Sequence, residues 1–146
     1  MLDRKHLNAL GTIGGGNHFA EFQETDQIVD PETFTSLGLD PNEVFMLVHS
    51  GSRSLGESIL GKFVEEHKGA GEAAKGTYET SDEFLTYMRG HETALNFARR
   101  NRFLIAHRIL EQIDSRRSQQ GEEYAIRDEN CIVDIFHNFV EKAPVL

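Results

Sequence analysis

The feature that most constrains this fold is the stretch opened by Ser81, where Phe84, Met88, Leu95, Ala98, Ile105 and Ile109 recur at helical spacing. The spacing predicts one helix lasting to about Ser115, the longest element of the chain. Its single apolar stripe has to be buried against the other elements. "HFAEFQETDQIV" reads as a strand, with Phe19, Glu21 and Gln23 on one side and Ala20, Phe22 and Glu24 on the other. "EVFMLVHS" is an apolar run of buried-strand length. In "SLGESILGKFVEEHK", Leu55, Ile59, Phe63 and Val64 have helical spacing, with Ser54 as expected N-cap and Glu57 as its capping-box partner. "NCIVDIFHNFV" is strand-like, with His137 near its end. "DPETFTSLGLDPNE", with its two Asp-Pro steps, "KGAGEAAKG" and "RRSQQGEE" read as loops. Strands and helices do not alternate regularly, so the expected class is α+β rather than a doubly wound sheet. The chain of 146 residues reads as one domain, 1–146, with no internal repeat or linker.

Charge limits the partners. A formal net charge of −9 argues against broad coating of nucleic acid, because phosphate neutralisation supplies much of that affinity. Positive charge is nevertheless clustered at Arg99, Arg100, Arg102, Arg108, Arg116 and Arg117, which leaves room for a local phosphate site. Arg99, Arg100, Asn101 and Arg102 read first as a solvated helix face, and second as a face turned to RNA. No apolar run approaches the ~18 residues that a membrane span requires. The N-terminus lacks a signal-peptide pattern, and Cys131 is the only cysteine, so a reducing, cytoplasmic setting is expected.

Three histidines occupy similar places. His18 follows a glycine-rich turn and opens a strand, His49 closes a strand before "SGSR", and His137 closes the last strand-like run. Taken singly, a histidine at a strand end is more often a hydrogen-bonded structural residue. Strand ends can also aim several side chains at one point, and imidazole is the commonest protein ligand for divalent metals. In "GTIGGGNH" the glycines permit φ > 0 and let successive N–H groups form an anion nest, although alone the motif is more often a tight turn. It is neither a Walker A nor a dinucleotide fingerprint, since neither Gly-Lys-Ser/Thr nor a helix follows. "HSGSR" sets small hydroxyls and an Arg before a helix N-terminus, a composition suited to phosphate oxygens and equally to an ordinary capped turn.

Together, "LGTIGGGNHFAE", "VHSGSR", "YMRGHETALNFARRNR" and "DIFHN" resemble the motifs of the RtcB family of RNA ligases, in family order and over nearly the whole chain. "SRSLGESIL" further resembles the release-factor-associated branch, with Ser54 in place of a commoner Gly. The resemblance implies an RNA ligase that uses GTP and two Mn2+ ions to join 3′-phosphate or 2′,3′-cyclic phosphate ends to 5′-hydroxyl ends, in RNA repair or tRNA splicing. It implies that His18 binds one metal and that His49 and His137 bind the other. Asn17 and Asn138 would contact nucleotide phosphate, Phe19 would lie near the base, Glu21 would read the guanine edge, and Arg53 would hold a substrate phosphate. Geometrically, the nitrogens of His18, His49 and His137 should converge within ~8 Å. RNA ends and GTP are the implied partners, with no DNA and no membrane.

The family's metal-bridging Cys and its helper Asp precede the Asn-His motif, where this chain has only about a dozen residues and no Cys. The guanylylated His and a nucleotide-holding Lys follow the His-Asn motif, beyond Leu146. The resemblance therefore implies the central part of a larger catalytic domain, without a catalytic residue of its own. Cys131, in an extended strand, would lie ~20 Å from His137, and reads as a small buried apolar residue. His91 and His107 read as partners of core or solvent groups and His67 as a helix C-cap, while His6 has no evident role. Two other readings stand beside the ligase: a non-catalytic remnant or interaction module, and a metal-dependent phosphoesterase.

Overall fold

Ser81 caps the long helix, its Oγ accepting from Phe84 N at 3.1 Å. The structure, a computed structural model, describes residues 3–67, 81–118, 131–136 and 138–140, with positions 67 and 114–118 described by backbone alone. The element order is α1 (Arg4–Ala9), β1 (Phe19–Glu24), α2 (Pro31–Ser36), β2 (Val44–His49), α3 (Ser54–His67) and α4 (Asp82–Ser118). The architecture is thus α+β, as expected. With 37 residues, α4 is about 55 Å long at 1.5 Å per residue, far longer than any other element.

The helical stripe is shifted from the expected one. Ala94, Phe97, Ala98 and Ile105 are buried, and between them lies Asn101, which is fully buried. Helix α3 packs on α4 through the expected Leu55, Ile59 and Phe63. Leu55 is buried, Phe63 meets Tyr87 at a ring distance of 4.7 Å, and Ile59 sits so close to Gly90 that a Cβ there would come within 2.9 Å of Cγ2. At Gly90 the two helices lie close enough that a side chain would meet Ile59 and force one of them to give way. Val64 stays exposed, as does Leu60, because the 3.6-residue period carries both off the contact face.

Strands β1 and β2 pair antiparallel, with Phe19 opposite His49, Glu21 opposite Leu47 and Glu24 opposite Val44. Directly opposed residues share a face, so Phe19, Glu21 and His49 lie together on one side. The expected burial of β2 is only partial: Val44 and Leu47 are exposed, and so are Phe19 and Phe22 of β1.

Three local expectations are corrected. The Asp-Pro stretch is not wholly a loop, because Asp30 accepts from Thr33 N at 3.0 Å and starts α2, with Pro31 in the first turn, where its missing N–H costs nothing. Residues 131–136 form no strand, pairing with no neighbour among the described residues, and Ile132, Val133 and Ile135 are exposed. Cys131 is exposed rather than buried, for the same reason. The structure also adds α1, where Asp3 and His6 form a reciprocal capping box that gives His6 a role. The hydrogen bond from His6 N is the main cause holding the Asp3 carboxyl below its ordinary value. Among the described residues no helix is long and apolar enough to cross a membrane.

Candidate functional site

The β1–β2 register delivers His49 to the mouth of the glycine-rich loop. The His18 and His49 ring centroids are 6.0 Å apart, and Phe19 stacks on His49 at 5.4 Å and 9°. His18 lies immediately before β1 and His49 is the last residue of β2, so a single antiparallel pairing brings together two side chains 31 positions apart.

Arg53 approaches from the turn between β2 and α3. Its φ of +57° is a left-handed conformation that costs a non-glycine residue about 1 kcal/mol or more. This bend turns the guanidinium back to the loop, with Nε 3.4 Å from Thr12 Oγ1. Gly14, at φ +102°, has no space for a side chain: a Cβ would lie 2.5 Å from Arg53 Cζ and 2.7 Å from His18 Nδ1. Gly15 and Gly16 face open space instead. The loop therefore presents exposed backbone next to a guanidinium and two imidazoles, a donor set suited to phosphate oxygens and a divalent cation.

The remaining expected residues are placed as follows. Asn17 is exposed on the loop. Glu21 is exposed on the face shared with Phe19 and His49, and its Oε1 accepts from Gln23 Nε2 at 2.7 Å. Asn138 is exposed and lines, with His49, Ser50 and Gly51, an open cleft of about 1910 Å³ between β2, α4 and residues 131–136 and 138–140. His137, and with it the three-histidine convergence, lies outside the described residues, as does the His67 side chain. Among the described residues no group of three or more His, Cys, Asp or Glu side chains is arranged to hold a metal ion. His18 and His49, with ring centroids 6.0 Å apart, fit as imidazole donors to two neighbouring divalent cations, because ligand bonds of about 2 Å and metals about 4 Å apart allow rings at separations of this order. The other donors must come from elsewhere.

Helix α4 supplies residues that the sequence reading assigned to solvent. Asn101 Oδ1 accepts from Gly11 N at 2.6 Å and Thr12 N at 3.2 Å. Its Nδ2 faces Thr12 O, Ser50 Oγ and Gly51 O at 3.2, 3.0 and 3.2 Å. Arg102 is half-buried, with Nη1 donating to Ser50 O at 3.1 Å and Nε to Asp134 Oδ1 at 2.7 Å. Arg108 Nη1 donates to Gly11 O at 2.6 Å. Arg99 and Arg100 do remain exposed, so the expected solvated face holds for them and fails for their two neighbours. The available signal was positional: Asn101 falls three residues after Ala98 and four before Ile105, within the apolar stripe. His91 and His107 behave as expected, His91 accepting from Val140 N at 3.0 Å and His107 lying 3.2 Å from Glu111.

Comparison with known proteins extends these observations beyond the motifs. The sequence matches the family model described as "tRNA-splicing ligase RtcB" over residues 2–144. It is 44% identical over 138 residues to the RNA-splicing ligase RtcB2 of Escherichia coli, an alignment covering 94% of this chain and 32% of that protein. It is 31% identical over 150 residues to the tRNA-splicing ligase RtcB of Methanococcus maripaludis, covering 95% of this chain and 30% of the relative. The tRNA-splicing ligase RtcB of Methanopyrus kandleri is 34% identical over 159 residues, covering 93% and 15%. The chain thus spans about a third of the length of the first two relatives. Because the match runs from the capped α1 through the segment after α4 and takes in the glycine-rich loop, the "HSGSR" turn and the "DIFHN" segment, this chain belongs to the RtcB family.

Proposed function

We propose that the chain supplies the histidine-lined part of a GTP- and manganese-dependent RNA ligase centre, joining RNA 3′-phosphate or 2′,3′-cyclic phosphate ends to 5′-hydroxyl ends. The observation that carries this reading is the His18–His49 pair at 6.0 Å, flanked by Arg53 and the open glycine-rich loop. Membership of a family whose curated relatives are named RNA-splicing and tRNA-splicing ligases supports it.

In this reading His18 holds one Mn2+ ion, and His49 and His137 hold the other. Bound manganese supplies charge neutralisation for phosphate oxygens. The chain's own residues do the positioning, which is most of what phosphoryl transfer requires of a protein. Arg53 clamps a substrate phosphate, Asn17 and Asn138 contact nucleotide phosphate, and Phe19 lies against the base. Glu21, oriented by Gln23, accepts from guanine N–H groups and disfavours adenine, whose edge has a different donor pattern. RNA ends and GTP are the partners, in the cytoplasm. Residues outside these 146 provide the nucleotide-accepting histidine, so the chain alone does not ligate.

The test combines binding and turnover. Electron paramagnetic resonance should detect Mn2+ bound to the chain, weakened about tenfold or more in His18→Ala and in His49→Ala. With GTP, Mn2+ and matched RNA ends, no joined product should form. Absence of Mn2+ binding would overturn the metal assignment, GTP-dependent joining would overturn the need for further residues, and phosphate release without joining would identify a phosphoesterase.

A further inference from the structure

Two consecutive residues of α4 tie together the three segments that carry the site. Asn101 joins the loop before Gly14 to the turn after β2, through Gly11 and Thr12 on one side and Ser50 and Gly51 on the other. Arg102 joins that same turn, at Ser50 O, to Asp134 of the segment that leads into His137 and Asn138. We infer that Asn101 and Arg102 are positioning residues that set the His18–His49 spacing and dock the Asp134 segment beside it. Their purpose in RNA joining rests on the ligase reading, whereas the positioning itself does not.

The chemistry at position 101 is specific to an asparagine. The loop offers two N–H groups to one atom and three acceptors to another, so the side chain must accept and donate at once. Aspartate has the same shape and lacks the donor. Glutamine adds a methylene that a fully buried position cannot take up without displacing its neighbours. Ser50 extends the chain of bonds, because its hydroxyl receives from Asn101 Nδ2 and donates to Ile13 O at 2.8 Å. Three short links thus fix the distance between the backbone before His18 and the backbone after His49.

Arg102 is shaped for the second link. Its Nε and Nη2 converge on Asp134 Oδ1, at 2.7 and 2.5 Å, and the guanidinium lies over the Phe136 ring at 5.0 Å from its centroid. The aligned hydrogen bond is the one from Nε. Asp134 Oδ2 is 3.6 Å from Arg99 Nε, which is ion-pair range without a hydrogen bond. Residues 131–136 have no regular structure, and among the described residues these side-chain contacts, with the bond from Val140 N to His91, hold the segment against α4. An Arg102 occupied in this way is not offered to RNA.

The experiment uses the 146-residue chain and two independent readouts, inter-ring NMR contacts and the visible absorption of added Co2+. Asn101→Asp should keep the helical circular dichroism, lose the His18–His49 inter-ring contacts and weaken Co2+ binding roughly tenfold or more. Ser50→Ala, a milder break of the same link, should weaken the inter-ring contacts. Arg102→Lys and Asp134→Asn should keep those contacts while losing the contacts of Phe136 and Val140 with α4. A folded Asn101→Asp chain with unchanged inter-ring contacts would overturn the inference. Should that variant unfold, unchanged contacts in Ser50→Ala, or a docked Phe136 in Arg102→Lys, would overturn it instead. If the unaltered chain binds no Co2+ while the NMR contacts respond as expected, the ligase reading fails and the positioning role stands.

Discussion

Phe19 and His49 stand opposite each other in the β1–β2 ladder, with their rings nearly parallel at 9° and 5.4 Å between centroids. This pairing makes the orientation of the His49 ring a property of the sheet register. Phe19→Ala should remove the stack and cost about 1 kcal/mol through the lost cross-strand pair. Faster amide exchange at Phe19 and His49, with α4 exchange unchanged, would show the effect to be local.

The glycines of the loop should not be equivalent. Gly14→Ala meets Arg53 Cζ and His18 Nδ1 and takes a φ of +102° that alanine disfavours, so a loss of about 1–3 kcal/mol is expected. Gly15→Ala enters open space without a positive φ and should stay within about 0.5 kcal/mol of the parent. Denaturant midpoints of the two variants measure the difference.

Ile105 and Ile113 lie two turns apart on α4 with opposite surroundings, 3% and 40% exposed. Ile105→Ala should destabilise the chain by about 2–5 kcal/mol, because the cavity sits at the core beside Asn101. Ile113→Ala should cost well under half of that. Equal shifts in melting temperature would show that the core lies elsewhere along the helix.

Acid should loosen α2 in a defined direction. Hydrogen bonds from Thr33, the backbone N–H first and the hydroxyl second, hold the Asp30 carboxyl below its ordinary value of 3.8. A depressed value in the folded state means that this capping contribution is complete above 3.8 and is lost as pH falls through the depressed value. The Thr33 amide resonance should titrate in that acid range, and should be flat with pH in Asp30→Asn, which still caps the helix without a titrating group.

What the sequence determined by itself was local or periodic. The cap at Ser81, the apolar repeat of α4, the Leu55–Ile59–Phe63 stripe and the strands around the two motif loops all arise from residues within a few positions of one another, whose backbone preferences and spacing act before any packing. The motif segments were legible for the same reason, and they sufficed to identify the family. Only tertiary structure decided that Asn101 is buried while Arg100 is exposed, because the difference depends on the loop at Gly11 and Thr12, 90 and 89 positions away, arriving with backbone N–H groups that donate to the Asn101 side-chain oxygen. It also decided that residues 131–136 are held by Arg102 rather than by a ladder, since an apolar run becomes a strand only where another backbone edge is there to pair with it.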